Sequence, residues 1–149
     1  MKMNNGTQKV FEGILDEYFE GVLSDNPMMA NELGKREGEG LMGATGAACE
    51  KRQERRRQNT LAALEGVAVN ELHAEQHLDR LALRSQLLAE CEDFARGKHE
   101  LEPDGVDAVF GILLHEMQRG EDEPARAKRN IRGVLRDAPN YLERSAKMI

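Results

Sequence analysis

The segment spanning residues 71–98, ELHAEQHLDRLALRSQLLAECEDFARGK, is the part of the chain that is apolar on more than one helical face. Leu78, Leu81, Ser85, Leu88, Glu92 and Ala95 follow the helical repeat on one side, and Leu83, Leu87, Cys91 and Phe94 follow it on another. A helix with two such stripes needs neighbours over both. The segment therefore reads as a central helix, about residues 73–97, with His73 as cap and Gln76 at the third helical position of a capping box. It is a packing element and carries no recognisable catalytic set.

The rest of the chain repeats the helical pattern in shorter pieces. Thr7 can cap a helix over residues 7–23, because Phe11, Leu15, Tyr18, Phe19 and Val22 recur at spacings of three and four. Asn26-Pro27 reads as cap and first residue of a short helix to Leu33, stopped by Gly34. The glycine-rich stretch 34–46 is the clearest loop and is expected to be flexible. Helices are expected over residues 45–65, with Gly66 at the end, and from Glu102-Pro103-Asp104 to Gly120, with Val106, Val109, Phe110, Leu113, Leu114 and Met117 on one face. Another begins at Pro124, and Pro139 reopens the chain into a last one with Leu142, Ala146 and Ile149 on one side. No strand-like alternation and no internal repeat appears. The expected class is all-α, an irregular antiparallel helical array joined by short turns.

A chain of 149 residues is one domain by size. Leu, Val, Ile and Phe supply 32 of those residues, just above the fifth below which a charged chain tends to disorder. The core should be thin, or should depend on a surface outside this chain. A net charge of −6 repels phosphate polyanions and anionic lipid, which argues against a general nucleic-acid or membrane-surface binder. No run of 18 apolar residues exists and the N-terminus reaches acidic residues early, so a cytoplasmic protein is expected. Cys49 and Cys91 lack CxxC spacing and read as reduced, partly buried thiols.

Histidine spacing comes nearest to a metal motif. His73 and His77 stand four apart, one helical turn, which lets two imidazoles reach one zinc ion. Ala74 occupies the place where HExxH requires its glutamate, and Gln76 the place where the reversed HxxEH motif requires it. His73 and His77 are thus the only metal candidates, with a cap and a solvated face as the plainer reading. His115-Glu116 begins the same motif, but Arg119 stands where a second ligand is needed, and a guanidinium that stays protonated cannot coordinate. Both therefore read as helix-surface residues. The basic run 50–57, EKRQERRR, has no interleaved aromatic residue to stack on bases, and Glu50 and Glu54 can pair with cations one turn away. It reads as a solvated helix face, with a protein or phosphate contact as the alternative. No catalytic residue and no cofactor is assigned.

Taken together, Phe11-x3-Leu15-x2-Tyr18-Phe19, Pro27-x2-Ala30-x2-Leu33-Gly34, Leu61-x2-Leu64, Leu78-Asp79-x-Leu81-x-Leu83-Arg84, Pro103-x6-Phe110-x2-Leu113, Pro124-x-Arg126 and Pro139-x2-Leu142-x3-Ala146 carry a resemblance. In this order they resemble the N-terminal part of the bacterial domain-of-unknown-function family 885. Members of that family look like all-helical, gluzincin-type zinc metallopeptidases, with an HExxxGH-like motif well downstream of the part matched. The resemblance implies a single helical domain, or an N-terminal fragment of a larger helical protein, that is not active on its own. Its partner would be the remaining half of such a protein, or another protein or itself, through an exposed apolar stripe on the helices carrying Val106 and Leu142. A stand-alone helical interaction module is the other expectation.

Overall fold

The computed structural model describes residues 5–98 and 105–148. Among the described residues there are six α-helices and no strand: α1 Asn5–Asp25, α2 Pro27–Glu32, α3 Ala47–Glu65, α4 Ala74–Ala95, α5 Gly105–Arg119 and α6 Pro124–Ala146, with a 3-10 turn at Val69–Glu71. The all-α class expected from the periodicity is the class observed. The start expected at Glu102-Pro103-Asp104 and the terminal Ile149 lie outside the described residues.

Local chemistry sets several boundaries. Asn26 Oδ1 accepts from the Met29 N–H at 3.1 Å, and Pro27 takes the first turn of α2, where its missing N–H has no helical partner to lose. Gly34 and Gly97 follow α2 and α4 at φ +83° and +71°, a conformation that a side chain would strain. At the start of α4 the His73 N–H donates to Gln76 Oε1 at 3.2 Å. Thr7 does not cap α1, which is already helical at Asn5; its hydroxyl donates to the Glu71 carboxylate instead.

Pro139 does not open a new helix. It lies inside α6, which runs unbroken from Pro124 to Ala146. The proline removes one i→i−4 hydrogen bond. Pro139 and Leu135 are both exposed, so water can reach the orphaned Leu135 carbonyl, while Ala138 and Tyr141 remain buried on the opposite face.

The chain divides into two compact units, one of Met1–Gly21 with Lys51–Lys98 and one of Val22–Glu50 with His99–Ile149. In the first, Phe11, Tyr18, Leu64, Val67, Leu83 and Leu87 are buried, and full burial of a side chain such as Leu87 is worth about 1.5–3 kcal/mol. Arg80 Nε fastens α4 to the end of α3 by donating to the Leu64 carbonyl at 3.0 Å. Only one of the two expected stripes of α4 is covered: Leu83 and Leu87 are buried, whereas Leu78, Leu81 and Leu88 are exposed. Ser85 and Glu92 interrupt that second stripe, so it offers a neighbour little apolar area.

In the second unit the core is Met42, Ile112, Val134, Ala138 and Tyr141, with Met28, Ala108, Val109 and Leu113 packed against it. The glycine-rich loop belongs to this core. Met42 is buried and its N–H donates to Asp137 Oδ2 at 3.2 Å. Gly40, at φ +78°, crosses α6 so closely that a Cβ on Gly133 would lie 2.6 Å from the Gly40 carbonyl oxygen.

Candidate functional site

Helix α5 has an apolar arc wider than its contact with the core. Advancing 100° per residue, Gly105, Ile112 and Glu116 fall on one line and are buried, with Val109 and Leu113 half-buried beside them. Val106, Phe110, Leu114 and Met117 fall about a third of a turn away and are exposed, Val106 to 70% and Phe110 to 69%. The single face expected for these residues is therefore two faces, one inward and one outward.

The outward stripe leads into a groove of about 580 Å³ between the end of α5 and the start of α6. Met117, Pro124, Ala127 and Ile131 give it apolar walls, and Lys128 and Arg132, one turn apart, give it a cationic side. Neither cation has an ion-pair partner among the described residues. Glu121 lines the same groove from the α5–α6 turn.

Behind the groove lies a buried polar network. Glu116 is 2% exposed, so the expectation that His115 and Glu116 are both surface residues fails for Glu116. Its Oε2 accepts from Asn130 Nδ2 at 3.1 Å and its Oε1 from Arg119 at 3.3 Å. Arg119 also donates to His115 Nε2 at 3.1 Å; a guanidinium can only donate, so that ring nitrogen is the acceptor. On the far side of Asn130, Glu39 and Arg126 form a two-pronged ion pair, and Arg126 also binds Glu123. The hydrogen bond from Arg126 holds the Glu39 carboxyl below the usual range, and the same guanidinium does so for Glu123. Every polar atom of Glu116 is committed to the fold, so it serves to position the α5–α6 pair. Its spacing from Ile112 and Val109 was the sequence signal for its inward place.

The other residues singled out by sequence lie elsewhere. His73 is exposed at the start of α4, and His77, one turn on, is half-buried with its Nδ1 enclosed and unpartnered, which differs from the solvated face expected of it. Among the described residues no group of three or more His, Cys, Asp or Glu side chains is placed to hold a metal ion. The run 50–57 is more than a solvated face: Glu54 is buried, Gln58 donates to it at 2.7 Å, and Arg57 bridges it to Glu90. Cys49 is buried and Cys91 half-buried, both as free thiols. Burial, followed by the Glu54 charge, pushes the Cys91 thiol up.

No helix among the described residues is long and apolar enough to cross a membrane. Comparison with protein-family models, with curated proteins and with solved structures finds no match.

Proposed function

We propose that this chain is a non-catalytic, cytoplasmic helical scaffold segment, similar to the N-terminal part of the zinc-metallopeptidase-like family 885, that docks a protein partner along the outer face of α5. The observation that carries this reading is the outward stripe Val106–Phe110–Leu114–Met117. A phenylalanine and a valine each more than two-thirds exposed, one turn apart and continuous with an apolar groove, make a surface that monomers rarely leave to water. The occupant is a helix with an apolar ridge flanked by carboxylates: the ridge meets the stripe and Met117, and the carboxylates meet Lys128 and Arg132. The remaining helical half of a larger protein of the resembled kind would supply such a helix.

A second reading, self-association, is favoured by Glu121 sharing the groove with Lys128 and Arg132, because a two-fold axis there would pair opposite charges on two copies. Light scattering over a concentration series separates the two. A sharp dimer supports self-association, and a monomer that associates loosely and binds a hydrophobic dye supports the scaffold segment. Replacing Phe110 and Met117 by Ser should abolish either behaviour. Scattering and dye binding that the double substitution leaves unchanged would exclude α5 as the docking face.

A further inference from the structure

Among the described residues five methionines and two cysteines carry sulfur, and the fold leaves one of these side chains open to water. Met42 and Cys49 are buried, and Met28, Met29, Met148 and Cys91 are half-buried. Met28 packs against the core of the second unit, and the Thr45 hydroxyl donates to Met148 Sδ at 4.0 Å, which engages a lone pair of that sulfur. A cysteine is ordinarily the sulfur that an oxidant attacks first, through its thiolate. Here Cys49 is enclosed, and burial, followed by the Glu54 charge, pushes the Cys91 thiol up and keeps its thiolate scarce. Met117 is 64% exposed.

Its place in the fold gives that exposure a consequence. Met117 ends the outward stripe of α5 and forms an apolar wall of the groove together with Pro124, Ala127 and Ile131. The preceding residue, Glu116, is tied to Asn130 and Arg119, so the backbone beneath Met117 is anchored. Oxygen added to this sulfur alters the surface and spares the core, whereas on Met42, 4% exposed, it would break the packing. A sulfoxide turns a pliant apolar side chain into a polar one. Lys128 and Arg132 line the same space, so the new acceptor also competes for their N–H groups with the carboxylates of a partner.

We propose that Met117 is a site of reversible oxidation by peroxides and that its sulfoxide closes the α5 face to the partner helix. The inference rests on the reading of α5 as the docking face. In the step, the thioether sulfur gives an electron pair to one peroxide oxygen, and an S–O bond forms as the O–O bond breaks. The proton on the transferred hydroxyl passes to the departing one, which leaves as water; sulfur is oxidised and the peroxide reduced.

Limited treatment of the full chain with hydrogen peroxide, followed by peptide mass mapping and titration with anilinonaphthalene sulfonate, tests the proposal. Met117 should be oxidised first among the described methionines, and the dye affinity should then fall about fivefold, the scale of setting one polar group on an apolar surface. Methionine sulfoxide reductases of both epimer specificities should restore it. Met117→Leu, with no sulfur at that place, should keep its own untreated affinity through the same exposure. Oxidation of Met28, Met29 or Met148 as fast as that of Met117, or a dye affinity unmoved once Met117 is a sulfoxide, overturns the proposal. So does an equal loss in Met117→Leu, or a fall in helix content by circular dichroism on oxidation, because the effect would then be unfolding. Failure of the docking face itself reads differently and overturns both: Phe110→Ser then binds the dye as the parent does before any peroxide is added.

Discussion

Asn130 connects two carboxylates that would otherwise crowd one another: its Nδ2 lies 3.1 Å from Glu116 and 3.5 Å from Glu39, and the residue itself is buried. Replacing it by alanine leaves Glu116 Oε2 with no donor in an enclosed place, and stranding a buried acceptor costs about 1–3 kcal/mol. Asn130→Ala should therefore lower stability by that amount in urea denaturation. Asn130→Asp should lower it further, since a third carboxylate would face Glu39 and Glu116. An unchanged midpoint for Asn130→Ala would mean that Asn130 does not hold the network together. Half of this arrangement had a signal in the sequence, which the surface reading of Glu116 passed over. Glu116 follows Ile112 and Val109 at helical spacing, which aims it inward, but periodicity says nothing of what lies opposite. Asn130 and Glu39 meet it only because the α5–α6 pair folds back and the glycine-rich loop crosses α6. His77 is the reverse case, a residue assigned to solvent whose Nδ1 the fold encloses.

Element boundaries were legible wherever a residue's own backbone chemistry sets them. Asn26-Pro27 and Gly34 start and end α2 through a side-chain cap, a fixed φ and a positive φ, and each acts where the sequence placed it. Boundaries that packing decides were not legible. Pro139 is a helix breaker by local preference, yet Val134, Ala138 and Tyr141 bury one continuous stripe across it and hold α6 together. The second stripe of α4 failed for a related reason, because its leucines compete for cover with polar residues on the same line. If tertiary burial carries α6 through a local penalty, removing the penalty should stabilise the protein. Proline in a helix interior is about 3 kcal/mol less favourable than alanine, and the looser unfolded state of the alanine variant returns about 0.4–1 kcal/mol of that. Pro139→Ala should thus raise the urea midpoint by the equivalent of roughly 2 kcal/mol. A lower midpoint would mean that the proline is a required bend and not a tolerated one.

At the scale of the whole molecule, the two units differ in which ionisable groups the fold perturbs. Glu39, Glu123 and Glu143, held low by Arg126 or Lys147, all belong to the second unit. Tyr18 and Cys91, pushed up chiefly by burial, belong to the first. A carboxyl lowered in the folded state adds stability above its unfolded pKa and loses it as pH falls through the folded value. Glu39, in a two-pronged and partly enclosed pair, should dominate that loss, because solvent screens the more exposed Glu123 and Glu143. A phenol or thiol raised in the folded state adds stability below its unfolded pKa and loses it as pH rises through the folded value. The second unit should accordingly be sensitive to acid, below the ordinary carboxyl value of 4.5, and the first to alkali, above the ordinary thiol and phenol values of 9.0 and 10.0. The chain has two tyrosines and no tryptophan, with Tyr18 in the first unit and Tyr141 in the second, so single phenylalanine variants make tyrosine fluorescence a reporter for each. In Tyr18→Phe the urea midpoint seen by Tyr141 should fall on acidification and hold at alkaline pH, and in Tyr141→Phe the midpoint seen by Tyr18 should do the opposite. Midpoints that move together at both ends of the pH range would mean that the units unfold as one and that the asymmetry of their ionisable groups has no thermodynamic consequence.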